Sequence, residues 1–186
     1  MGLCQRIHHN SCCFNFGFPS NSSSPIVSAA TNAGGLLGWA NSICVYINNC
    51  GVYAGSISSG TSAGGVFGTQ CIPSISLFSV FVHSSVSVIG NTSAGGFGGC
   101  TSVTYGVFVD ISNSYTDASV KSNNYCGGFV GKGPFNANYS YVFSQKVSGA
   151  NSSTTGVFIG STSLPVSLNE CLFYTSPLSL LGNGGY

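Results

Sequence analysis

The sequence predicts an all-β fold: a β-solenoid, parallel β-helix-like, of about five coils of ~30 residues each. Three observations predict it. A Gly-rich segment recurs at nearly constant spacing, a β-branched residue travels with each copy, and the intervening runs are short and alternate with period two.

Residues 1–25 read as an irregular N-terminal segment or a degenerate coil, with Asn10-Ser-Cys-Cys13 as the remains of an earlier copy. The repeats occupy residues 26–182, and residues 183–186 form a tail. Four segments align directly: Ala33-Gly-Gly-Leu-Leu-Gly38, Ala63-Gly-Gly-Val-Phe-Gly68, Ala94-Gly-Gly-Phe-Gly-Gly99 and Cys126-Gly-Gly-Phe-Val-Gly131. A degenerate fifth follows at Thr155-Gly-Val-Phe-Ile-Gly160, and successive starts are offset by 30, 31, 32 and 29 residues. The pairs Gly34-Gly35, Gly64-Gly65, Gly95-Gly96 and Gly127-Gly128, with Gly156, are expected at coil corners. There glycine permits positive φ and close approach of adjacent coils.

Six residues ahead of the first four starts stand Val27, Ile57, Val88 and Val120. In the fifth unit Val147 stands eight ahead, which implies a two-residue insertion. Stacked coils would place these five in an inward ladder, each burial contributing about 1.5–3 kcal/mol. An aromatic column is expected at Tyr53, Tyr115, Phe143 and Tyr174, with His83 where one unit lacks the ring. Just before it comes an Asn-Cys-like element at Asn49-Cys50, Asn113-Ser114 and Glu170-Cys171.

Composition narrows the class of function. Charged residues are 4% of the 186, against about 25% in a typical soluble domain. A net charge of +1 leaves no electrostatic footprint for nucleic acid. With 43% hydrophobic residues, 13 Phe and 9 Tyr, disorder is not expected. No apolar run approaches the ~20 residues of a membrane helix. Nine cysteines form no CxxC pair and fit no zinc spacing, and an odd number leaves at least one thiol free or paired elsewhere. Four Asn-x-Ser/Thr sequons (Asn21, Asn91, Asn138, Asn151) suit a secreted surface, although a chain this rich in Ser and Asn also makes them by chance. No apolar signal-peptide core stands at the start, so either the chain is not secreted by that route or its N-terminus is missing; the expectation is a fragment of a longer extracellular or cell-surface protein.

Gly-Gly-Leu-Leu-Gly38, followed by Ile47-Asn-Asn-Cys50, Tyr53-Ala-Gly55 and Ile57-Ser-Ser-Gly60, resembles the GLUG repeat, and Ile111-Ser-Asn-Ser-Tyr115 with Val120 echoes it. The resemblance covers about residues 26–182. It implies a spacer, stalk or adhesin-like region of a large surface protein. The chain departs from the motif at Gly156-Val157, where the glycine pair is broken, and in the second unit, where the Asn-Cys-Tyr element is degraded.

Each candidate for chemistry has a plainer explanation. Asp110 and Asp117 could serve a polysaccharide lyase or hydrolase if they shared a groove with a Lys, but solvated turns account for them. His8 and His9 sit in a terminal segment and lack further metal ligands. Gly127-Gly-Phe-Val-Gly-Lys132 imitates a phosphate loop but has Cys126 and Gly133 where that motif needs Gly and Ser or Thr. No Gly-x-Ser-x-Gly elbow is present, and no corner carries the Asp of a calcium-binding roll. Cys50 and Cys171 share a column with Ser114, as small packing residues do. The column Thr31, Thr61, Thr92, Asn124 and Ser153 is the kind of array an ice-binding face would use, but it also satisfies ordinary turn chemistry.

The expectation is a non-catalytic structural or adhesive module without cofactor or metal. Its partners are neighbouring repeats or domains, glycans, or host or cell-surface proteins, with Trp39 and exposed Tyr as sugar-stacking candidates. A β-helix polysaccharide lyase or hydrolase is the alternative, and an ice-binding solenoid a minor one. Because Leu178-Ser-Leu-Leu-Gly-Asn-Gly-Gly-Tyr186 offers no charged or helical cap, end-to-end association is also expected.

Overall fold

A computed structural model shows a parallel β-solenoid of about four turns. It describes residues 7–10, 13–14, 26–40, 45–71, 74–101, 108–143, 147–174 and 181–183. The five glycine corners bound four intervals, so five repeat units close about four turns. Among the described residues there is no α-helix, and hence no helix long and apolar enough to cross a membrane.

Each turn contributes to four sheets in succession. Sheet A holds Ile7–Asn10, Val45–Asn48, Ser74–Phe78, Phe108–Ser112, Asn136–Asn138 and Ser167–Asn169. Sheet B is the widest, with Gly51–Ser59 and Phe81–Gly90 as its long strands, followed by the shorter Tyr115–Thr116, Ser119–Ser122, Tyr141–Phe143, Val147–Gly149 and Leu172–Tyr174. Ile26–Ala29 and Cys13–Phe14 complete it. Sheet C consists of the short strands from Asn32–Gly34 to Thr155–Gly156, and sheet D runs from Leu37–Ala40 to Leu181–Asn183. Every strand pair is parallel, so every ladder hydrogen bond joins one turn to the next.

Register places like above like. Val27 pairs with Ile57, Ile57 with Val88, Val88 with Val120 and Val120 with Val147. All but Val27 are buried. Ala33, Ala63, Ala94, Cys126 and Thr155 form a second inward column on sheet C. Small residues are needed there because sheets C and D nearly touch: a Cβ on Gly99 would lie 2.7 Å from the Ala63 backbone nitrogen and oxygen. Past the corner the interior opens and fills with Val66, Phe97, Phe129 and Phe158. Phe129 packs 5.2 Å from both Phe97 and Phe158. The two residues by which the last unit exceeds the others, between Val147 and Thr155, are taken up by a 3-10 turn at Ser152–Thr154, capped by the Asn151 side chain.

The corner glycines correct one expectation. None of Gly34, Gly35, Gly64, Gly65, Gly95, Gly96, Gly127, Gly128 or Gly156 has positive φ; among the described glycines only Gly55 and Gly133 do. Close approach is what demands glycine at the corners. A Cβ on Gly35, Gly65 or Gly96 would strike the carbonyl oxygen of Gly65, Gly96 or Gly128 in the next turn. The left-handed positions fall instead at the corner between sheets A and B: Asn49, Ser79, Asn113, Tyr139 and Glu170, with φ from 49° to 53°.

Candidate interaction surface

The corner between sheets A and B organises the most distinctive surface. Directly after each left-handed residue comes Cys50, Val80, Ser114, Ser140 or Cys171. Where that residue carries a hydroxyl or thiol, the group donates to the carbonyl two residues back: Cys50 to Asn48, Ser114 to Ser112 and Ser140 to Asn138. The serine oxygens also accept from the preceding turn, Ser114 from the Val80 N–H at 3.0 Å and Ser140 from the Ser114 N–H at 3.2 Å. Cys171 closes the series by donating to Asn169. Buried backbone N–H groups are thereby satisfied at a corner whose other amides bond backbone to backbone between turns, as Asn49 N–H does to the Phe78 carbonyl.

Beyond this corner the outer face of sheet B carries a ladder of rings. Phe81 stacks on Tyr115 at 5.4 Å and 11°, and Tyr115 on Tyr141 at 4.9 Å and 2°. Tyr53 meets Phe81 edge-on at 4.8 Å, and Phe143 leans on Tyr174 at 5.9 Å. This corrects the aromatic column expected from sequence. Tyr115 is the misplaced member: it pairs in register with Phe81 and Tyr141, whereas Phe143 pairs with Tyr174 in a neighbouring column, two residues further along, as Tyr53 stands two after Gly51. The first-turn partner of Phe81 is Gly51, whose missing side chain leaves the space that the Phe81 ring fills.

His83 follows Val82, the partner of Val52, and so comes at the level of Tyr53, exposed like it. It lies in a bulge where the register shifts between Val82 and Ser85. There the exposed His83 Nδ1 lies 2.9 Å from the Ser85 hydroxyl, which in turn donates to the Tyr53 carbonyl. The bulge adds one residue to this strand relative to its neighbour. Counting back from the glycine corner overlooks the extra residue.

At the far end of the ladder Tyr141, Val142, Phe143, Leu172, Phe173 and Tyr174 line an apolar groove of about 460 Å³. Elsewhere Ile26, Trp39, Phe78 and Ile89 are exposed, and several polar side chains bond from one turn to the next. Asn136 donates to Asp110 at 2.9 Å on sheet A, Thr69 to Asn32 at 2.7 Å, Ser93 to Ser62 at 2.9 Å and Asn123 to Asn91 at 2.8 Å. Lys132 lies over the Tyr125 ring at 4.7 Å.

The other sequence candidates are dispersed. Asp110 stands on a strand of sheet A, and Asp117 follows Thr116 in sheet B, with the Asn113 corner between them. His8 and His9 fall on the strand Ile7–Asn10, paired with Tyr46 and Ile47. Trp39 is exposed on sheet D, paired with Thr69. Thr31, Thr61 and Thr92 lie at the turn before sheet C, where their carbonyls accept from the following turn and the Ser59 hydroxyl accepts from the Thr61 N–H. Cys50, Cys71, Cys100, Cys126 and Cys171 are thiols, while Cys4, Cys12 and Cys44 lie outside the described residues, as does Asn21. Burial pushes the Cys126 thiol up to about 12, so it is protonated at neutral pH and donates weakly to the Val120 carbonyl. Burial also raises Cys100 and Cys171, and raises Tyr115 with help from neighbouring Tyr141 and Tyr53 and from Asp117. Among the described residues no three His, Cys, Asp or Glu stand together as a metal cluster.

No family model, curated protein or solved structure matches the chain. Its own surfaces therefore carry the functional reading.

Proposed function

We propose that the chain is a non-catalytic structural or adhesive module of a larger extracellular or cell-surface protein, of the kind the GLUG-like repeats suggest. The observation that carries this reading is the surface itself. Polar and aromatic side chains on its outer faces meet their counterparts in the adjacent turn, Asn123 with Asn91, Asn136 with Asp110, and Tyr115 with Phe81 and Tyr141. A scaffold of this kind presents a long, uniform, nearly uncharged face to a neighbouring domain, a glycan or a cell-surface protein. For sugars the ring ladder is poorly suited, since Phe81, Tyr115 and Tyr141 turn their faces to one another and only their edges outward. Trp39 and Tyr139, both exposed, are the better stacking candidates.

The polysaccharide lyase or hydrolase reading needs two carboxylates and a base around one groove. Asp110 stands on a strand of sheet A and is engaged with Asn136, while Asp117 lies beyond the Asn113 corner, just past the strand Tyr115–Thr116 of sheet B, which favours the non-catalytic reading. Antibody raised to the purified chain should label intact source cells without permeabilisation. Labelling only after permeabilisation would sink the proposal. A reducing-sugar assay on a panel of polysaccharides should stay at background, and turnover there would move the assignment to the enzyme.

A further inference from the structure

Two of the sequons fall on the same corner of the solenoid, between sheets B and C. Asn91-Thr92-Ser93 follows the strand Phe81–Gly90, and Asn151-Ser152-Ser153 follows Val147–Gly149. In both, the amide oxygen is held and the amide nitrogen is left outside. The Asn91 Oδ1 accepts from Asn123 at 2.8 Å, and the Asn151 Oδ1 accepts from the Ser153 N–H at 3.0 Å and from its hydroxyl at 2.8 Å. Among the described residues nothing accepts from either Nδ2. Both side chains are exposed. The neighbour of Asn91 in the preceding turn is Gly60, itself exposed and without a side chain to crowd it. A substituent on Nδ2 therefore has room and leaves the hydrogen bonds of Oδ1 in place. Asn138, in a third sequon, differs. It is half-buried on sheet A, in register between Ser112 and Asn169, and Ser140 after it is buried. A bulky group there would crowd the side chains on either side.

We infer that Asn91 and Asn151 are modification sites that carry N-linked glycans. The hydroxyl two residues on, Ser93 or Ser153, completes the acceptor pattern. The co-reactant is a glycosyl diphosphate donor. Nδ2 forms a bond to the anomeric carbon, the carbon–oxygen bond to the diphosphate breaks, and the amide gives up one proton. Ser93 is buried and bonded to Ser62, so transfer at Asn91 precedes closure of that turn. The glycans give a chain with only 4% charged residues a hydrated edge. They lie at the opposite end of the sheet B strands from the ring ladder, which they leave uncovered. This inference rests on the extracellular reading, because the donor is met on the secretory route.

The test is mass spectrometry of the chain purified from its source. Peptide N-glycosidase in heavy-oxygen water converts each glycan-bearing Asn to a labelled Asp, and an untreated sample controls for spontaneous deamidation. Label is expected at positions 91 and 151 and not at 138. The same treatment should speed migration in a denaturing gel, and Asn91→Gln and Ser153→Ala should each remove one step of that shift. Ser153→Ala deletes the acceptor hydroxyl but keeps Asn151 and its bond to the backbone N–H of residue 153, so loss of the step is not loss of the turn. A chain on the surface of intact cells that lacks label at Asn91 or at Asn151 overturns the inference and leaves the extracellular reading standing. A chain found only inside the cell and unlabelled overturns both. Label confined to Asn138 overturns the inference as well.

Discussion

At the scale of single residues, the corners set the tolerances. A Cβ on Gly96 would meet the Gly128 carbonyl and the Thr116 side chain, and the carbonyl belongs to a backbone that cannot yield. Gly96→Ala should therefore cost about 3 kcal/mol or more, read as a fall in melting temperature. Gly38→Ala, whose nearest neighbour is the Asn32 carbonyl at 3.1 Å, should stay within about 1 kcal/mol. Cys126 makes a prediction about pH. Its thiol is raised from 9.0 to about 12 in the folded chain, so its stabilising effect is full below pH 9 and is lost as pH climbs towards 12. The loss is on the order of 4 kcal/mol, since each pKa unit corresponds to about 1.4 kcal/mol. Thermal melts should hold steady up to pH 9 and then fall. Cys126→Ala, which matches Ala33, Ala63 and Ala94 in its column, should make the fall shallower.

Among the elements, the corner hydroxyls test whether a column works as a unit. Ser114→Ala leaves the buried Val80 N–H without its acceptor and should cost about 1–3 kcal/mol in chemical denaturation. Ser114→Cys should recover much of that, because thiols already occupy the column at Cys50 and Cys171. The same elements show where the sequence could be read. The glycine corners and the β-branched residues just before them lie on one continuous stretch whose length hardly varies, so counting residues finds the fold class. Upstream of that stretch counting fails. Successive ring-column members lie 34 and then 26 residues apart, at Phe81, Tyr115 and Tyr141. Loops of unequal length and the His83 bulge break the spacing, so pairing with the adjacent turn identifies the column where distance along the chain does not. The role of the corner glycines was also hidden, because a sequence shows that glycine is required but not whether φ or a neighbouring carbonyl requires it.

For the whole molecule, stability is a sum over turns and their interfaces. Hydrogen exchange should be slowest for the amides of Val88, Ala94 and Phe97, in the middle of the stack, and fastest for those of Leu168 and Phe173. Uniform protection from one end to the other would contradict the additive picture. Interfaces between turns rest on apolar columns and neutral hydrogen bonds, so melting temperatures should barely change between low and high sodium chloride. A shift of many degrees would mean that the few charges matter more than their placement suggests.

Because every ladder hydrogen bond joins one turn to the next, the chain also has a mechanical character. Tension applied at its two termini runs along the stack and peels off an end turn bond by bond, without shearing a whole sheet at once. Each released turn of about 30 residues yields roughly 100 Å of slack at about 3.4 Å per residue. Under load such a chain lengthens in repeated even increments and gives way at low force, as a tether that absorbs a pull would.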